Sequence, residues 1–298
     1  MDKWKTPNDY WDEDIFYLCD YEVCQKIDCT EKFHKLGFYT PENGWDHYAE
    51  YQTLCKTCPH YFKDIGIYFG SRKHTDNLNQ ADTVWCQDKI LSHEGFVEFL
   101  SAIPKSVRTI YFNDIRTENL YELEELSKLE CVLISYCPKL VHFWNFEKTP
   151  VLKVLEYTAN SHLTDLSEIS RAKSLEYFGI DTLVSRTNLN YIETFFPLIK
   201  LNALKEVSLN ATMCLDDEIE NLIKIPNLCK LWISPHTFST EDFAKFEAKK
   251  FKIYEEYGIY QSKDYVRPLG KGRKCFRSEK SKEKFKKEYG TMMAMHQK

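Results

Sequence analysis

The sequence predicts an α/β solenoid, with parallel strands on a concave face and helices or irregular turns on the convex one. Three observations carry that reading. Seven apolar triplets share one internal spacing, three residues and then two: Val107/Ile110/Phe112, Leu129/Val132/Ile134, Leu152/Leu155/Tyr157, Leu175/Phe178/Ile180, Leu204/Val207/Leu209, Leu228/Leu231/Ile233 and Ala248/Phe251/Ile253. Their starts lie 22, 23, 23, 29, 24 and 20 residues apart, a period that holds one strand and one crossing per repeat. Helix-type patterns fall between the triplets rather than inside them.

Each triplet reads as a short strand, because its last two apolar residues alternate around one and so turn to the same side. Two weaker matches, Phe62/Ile65/Ile67 and Ala81/Val84/Cys86, precede the series. Ser92 to Pro104 reads as a convex helix: Phe96, Phe99, Leu100 and Ile103 share a face, and Pro104 stops it. Leu120 to Leu129 and Asn188 to Ile199 read as further helices, the second filling the 29-residue interval. The crossing from Val141 to Pro150 is poor in helix signals and predicts an irregular path. Asp216 to Ile223 opens with acids and then spaces Ile219, Leu222 and Ile223 at helical intervals. Ser239 to Phe246 does the same, with Ser239 or Thr240 as N-cap. Past Lys263 the repeat is lost; a solvated Lys/Glu helix is expected from Ser278 to Tyr289, fraying beyond Gly290.

These signals divide the chain into residues 1–60, an aromatic- and Cys-rich N-terminal cap; 61–262, the solenoid, with clear repeats over 107–257; and 263–298, a basic tail. The tail holds 12 Lys/Arg against 4 Asp/Glu, a net of +8, and the rest of the chain carries −13. Neither a secretory signal nor a run of about 18 apolar residues is visible, so the expectation is a cytoplasmic protein without a membrane span.

The second and third units extend further. Leu129–Leu140 fits L-x-x-L-x-L-x-x-C-x-x-L through Cys137, and Leu152–Leu163 fits the version with Asn160. On these residues, from Val107 to Tyr257, the chain resembles the leucine-rich repeat superfamily, in the style of its irregular bacterial members. The Asn or Cys position is instead Ile115, Leu183, Thr212 and His236 in other units, so the polar ladder inside the turn is interrupted. The resemblance implies a non-catalytic module that binds a partner protein on its concave face.

If the triplets point into the core, the residues between and after them face that partner. Candidate partner-binding residues are Tyr111, Tyr136, Glu156, Asp181, Asn210, Trp232, Lys252 and Tyr254. Trp and Tyr suit interface anchors, and the short polar residues beside them suit a rim. The bland reading is that short polar side chains simply suit closely spaced parallel strands.

Signals for chemistry are few. Cys24, Cys29, Cys55 and Cys58 are weak metal candidates: Cys55 and Cys58 have the C-x-x-C spacing that grips zinc from a tight turn, but C-x4-C between the other two is loose. Free thiols are the expectation, and no cofactor. Walker, dinucleotide-binding, H-E-x-x-H and G-x-S-x-G patterns are missing, so no enzyme is expected. Few aromatics accompany the basic tail residues, which argues against nucleic acid. Two alternatives stay open: a zinc-containing or enzymatic N-terminal domain targeted by the repeats, and an immunity- or antitoxin-type inhibitor whose acidic body covers a basic partner.

Overall fold

The computed structural model describes residues 65–68, 83–86, 91–112, 115–134, 136–158, 162–181, 189–262 and 265–297. Its centre is an eight-stranded parallel sheet in which sequence order is spatial order: Ile65–Tyr68, Thr83–Cys86, Thr109–Phe112, Cys131–Ile134, Val154–Thr158, Tyr177–Asp181, Glu206–Leu209 and Lys230–Ile233. Six of the seven triplets form strands, and the two weaker matches add two more at the N-terminal edge. The register follows the triplets: Val132 pairs with Leu155, Leu155 with Phe178, Phe178 with Val207 and Val207 with Leu231. Equivalent side chains therefore stack from strand to strand, and together they form one continuous buried core.

The crossings are tighter than the helix patterns predict. Leu120–Leu129 holds only the 3-10 turn Tyr121–Glu125, and Asn188–Ile199 resolves into a short strand, Asn190–Ile192, and the 3-10 turn Phe196–Lys200. The Asp216–Ile223 stretch has one helical turn, Glu220–Ile223. The reason lies in the apolar spacing ahead of each strand. Leu120/Leu123/Leu126/Leu129, Phe143/Phe146/Thr149/Leu152, Leu166/Ile169/Ala172/Leu175, Phe195/Leu198/Leu201/Leu204 and Ile219/Leu222/Ile225/Leu228 all advance by three. A 3-10 turn places residues i and i+3 directly above one another, whereas an α-helix would swing such a row round its axis. Backbone bonds follow the same step: Leu123, Leu126 and Leu129 N–H donate to the carbonyls of Leu120, Leu123 and Leu126, each at 3.0 Å. The irregular crossing at Val141–Pro150 is filled by aromatics. Trp144 is buried, and its indole N–H donates to Thr149 Oγ1 at 2.9 Å.

Among the described residues, full-length helices flank the run of 3-10 turns on both sides. His93–Ala102 starts at the N-cap Ser92 and packs Phe96 and Phe99 against Phe112. At the other end Thr240–Lys249 begins with a capping box between Ser239 and Asp242. That helix overturns the seventh triplet as a strand: Ala248 lies inside it, and Phe251 packs edge-on against Phe246 at 5.3 Å. Apolar residues three and then two apart arose here from a helix end and the turn after it.

The C-terminal helix runs from Glu279 to His296, so helix continues past Gly290 where fraying was expected. Nor is it merely solvated. Phe285 and Tyr289 are buried, and Lys282 and Lys286 both pair with Glu256, at 3.1 and 3.2 Å. The hub beneath it is Glu247, a buried carboxylate that accepts from Ile253 N–H, Gly258 N–H and the Tyr289 hydroxyl at 2.9, 2.9 and 2.7 Å. Burial pushes the Glu247 carboxyl up, against those three donors, and burial together with Glu247 pushes the Tyr289 phenol far up, so that phenol stays a donor. Gly258 sits in the left-handed region at φ 70°, where a side chain would meet the Tyr289 ring at 2.7 Å.

Candidate functional site

Alternation along each strand divides its residues between two faces. The second and third apolar residues of each triplet enter the core. The residues before and between them turn to the opposite, front face, the one expected to be concave: Cys131 and Leu133, Val154 and Glu156, Tyr177 and Gly179, Glu206 and Ser208, Lys230 and Trp232.

This face is not uniform. Cys131, Leu133, Val154 and Tyr177 form a second buried cluster, separate from the core, with exposures of 0 to 6%. Beside them Glu156 Oε2 accepts from the Tyr177 hydroxyl at 2.6 Å. Gly179 makes room for that pair, since a Cβ there would come within 2.8 Å of the Glu156 side chain and 2.9 Å of the Tyr177 ring. Burial, and then the Glu156 charge, push the Tyr177 phenol far up, so it stays protonated and donating.

Among the described front-face side chains, the large exposed ring lies on the last strand. Trp232 is 40% exposed. Its indole N–H donates to Glu206 Oε1 at 2.9 Å, and Lys230 Nζ pairs with the same oxygen at 3.0 Å while lying 5.0 Å from the centre of the Trp232 ring. Glu206 itself is only 8% exposed. A large aromatic ring is thus presented on a platform of one buried carboxylate and one ammonium.

Along the rim ahead of the strands, opposite charges alternate from repeat to repeat. Arg108 and Lys153 flank Glu130 at 2.7 and 3.0 Å, and Lys205 pairs with Glu176 at 2.6 Å. Burial raises the Glu130 carboxyl, but bonds from Arg108 and Lys153 outweigh it and hold the group below the usual carboxylate range. Ion pairs of this partly exposed kind fix register more than they stabilise.

Of the eight residues singled out in the sequence, Glu156 and Trp232 sit on the front face with their side chains defined. Tyr111 and Asp181 lie in face strands, but their side chains are outside the described residues. Asn210 is exposed just past its strand, its N–H bonded to the Ile180 carbonyl at 2.9 Å. Tyr136 lies past a strand end, half-buried, with the Arg116 guanidinium 4.9 Å from its ring centre. Lys252 and Tyr254 are corrections. Both belonged to the seventh triplet, which is no strand; Lys252 Nζ bonds the Glu255 carbonyl, and the Tyr254 hydroxyl bonds the Ile233 carbonyl beneath the C-terminal closure. The reading of the sequence missed Tyr177, Glu206 and Lys230. Alternation was the signal available: with Leu231 and Ile233 inward, Lys230 must turn outward as surely as Trp232.

The metal candidates Cys24, Cys29, Cys55 and Cys58 lie outside the described residues, as does the proposed cap over 1–60. Among the described residues no group of three His, Cys, Asp or Glu side chains is placed to hold a metal ion, and no helix is long and apolar enough to cross a membrane.

No protein-family model and no curated protein matches the chain. Among solved structures it is similar to internalin C2 of Listeria monocytogenes, at 16% identity and a TM-score of 0.39 over 53% of this chain and 63% of that one. It is also similar to internalin F of the same bacterium, at 13% identity and a TM-score of 0.47 over 65% of this chain and 61% of that one. The chain spans less than two thirds of the length of either. Stacked triplets in register, one strand and one crossing per described repeat and a continuous core give the chain an α/β solenoid fold of the leucine-rich repeat type.

Proposed function

We propose that the protein is a non-catalytic interaction module that binds a partner protein on the front face of its sheet, at the end formed by the Glu206–Leu209 and Lys230–Ile233 strands. The observation that carries this reading is Trp232, a large ring 40% exposed beside front-face apolar side chains, Cys131, Leu133, Val154 and Tyr177, that are closed to solvent. Exposed aromatics ringed by polar groups are how binding energy concentrates in interfaces. Glu206, Lys230 and Ser208 supply the polar ring.

The test is a photo-crosslinking residue in place of Trp232, with a second one in place of Leu215, which is 59% exposed on the solenoid flank. A partner captured from position 232 and not from 215 supports the front face; capture from 215 alone moves the interface to the flank. For the captured partner, Trp232→Ala should then cost roughly 2 kcal/mol of affinity, about thirty-fold, with little change in melting temperature. A sharp drop in melting temperature would make Trp232 an internal packing residue instead.

A further inference from the structure

The geometry around Trp232 points to the chemistry of what binds there. We propose that Glu206 and Trp232 form a cation-accepting subsite for a basic side chain, best an arginine, of the partner protein, and that Lys230 holds this place until the partner's cation arrives. The proposal rests on the front-face reading above and sharpens it.

The first observation is the carboxylate. Glu206 keeps only a tenth of its side chain in solvent, yet both of its bonds fall on one oxygen: Trp232 Nε1 and Lys230 Nζ both reach Oε1. Oε2 takes no bond from any described residue. A largely buried carboxylate with one oxygen unbonded to any described residue can take a second, charged donor there. The second observation is the ring. Lys230 Nζ already lies 5.0 Å from the centre of the Trp232 ring, so the face of that ring is open to a cation. The third is the lysine itself. With 46% of its side chain exposed, Lys230 can swing its ammonium into water at little cost and uncover both ring and carboxylate. A guanidinium does more than an ammonium in the vacated place: its planar fork can address both carboxylate oxygens while its flat surface stacks on the indole.

The experiment uses the full chain with its tryptophans 15N-labelled, the Trp232 indole N–H assigned by Trp232→Phe. Three blocked tripeptides are titrated in turn, with arginine, norleucine or glutamate at the centre. The arginine peptide should shift the Trp232 indole resonance and the other two should not. Lys230→Met should tighten arginine binding at least three-fold by removing the competitor, and Glu206→Gln should weaken it at least five-fold. The control Glu241→Gln alters an exposed carboxylate on the Thr240–Lys249 helix and should change nothing. A norleucine or glutamate peptide that binds Trp232 as well as arginine does would overturn the cation chemistry while leaving the front face as the interface. No shift with any peptide overturns the subsite, and the crosslink at position 232 then decides the front face separately. Weaker binding in Lys230→Met would make the lysine part of the site and overturn its role as placeholder. Should Glu206→Gln melt early, the arginine–norleucine contrast and Lys230→Met still decide.

Discussion

The middle of the solenoid and its C-terminal end solve one problem in different ways. A middle repeat is covered on both sides by near-copies of itself, so stacked Leu, Val and Phe suffice: Val132, Leu155, Phe178 and Val207 are all completely buried in one row. The last strand has no following copy. There the chain changes chemistry, from 3-10 turns to a capped α-helix, and from an apolar row to a carboxylate hub on which turn and terminal helix are assembled. Repetition gives stability wherever a neighbour exists; an end has to be closed by bonds made once.

That contrast can be broken at either side. The largest effect is expected in the middle. Leu155→Asp places an unpaired charge in the stacked row and should cost about 4 kcal/mol or more, read as loss of the folded baseline in urea. A near-normal denaturation midpoint would mean that the row does not carry the fold. Next, Gly258→Ala must hold a side chain at φ 70° against the Tyr289 ring, at about 1–3 kcal/mol for the backbone alone. Tyr289→Phe removes one donor from the buried Glu247 and should cost about 2 kcal/mol. Hydrogen exchange tells end from middle: both variants should lose protection in Glu279–His296 while Val132 and Leu155 keep theirs. Equal loss in both regions would show that the end is no separate unit.

The smallest effect is one of pH. Bonds from Lys282 and then Lys286 hold the Glu256 carboxyl below its ordinary value of 4.5. A depressed carboxylate contributes stability that is present above the ordinary value and is lost as pH falls through the lower folded one. Docking of the terminal helix should therefore be weaker in Glu256→Gln than in the parent at pH 6, and the difference should shrink as pH falls below 4.5. Glu247 has the opposite sign, since burial raises it, so the comparison with Glu256→Gln isolates the pair. A difference that stays constant as pH is lowered until the carboxylate is protonated would assign the contact to packing.

Much of the fold was legible because a repeat states its pattern several times. Ile110/Phe112 and Leu231/Ile233 are readable as strands since four other units agree with them. Ala248/Phe251/Ile253 stood at the end of the series with no unit after it, and three residues cannot tell a strand from a helix end. The crossings differ from the expectation for a related reason: Leu120 to Leu129 has the apolar content of an α-helix, while its steps of three are the eclipsed period of a 3-10 turn. On the front face Trp232 was found by its size, but Glu206 was not. A glutamate before a Val in a strand carries no mark of burial; its role arises from Trp232 and Lys230 one strand away.

The stride of three has a consequence for how repeat length can change. From the first residue of each run to the first residue of its strand triplet the count is always nine, from Leu120 to Leu129 as from Ile219 to Leu228. From the end of one triplet to the start of the next run it is 8, 9, 9, 15 and 10. All of the variation in repeat length is therefore admitted at one place, just past the strand, as between Ile180 and Phe195. Insertions and grafted loops belong there. A single residue added between Leu166 and Leu175 would rotate every later side chain of that run out of its stack.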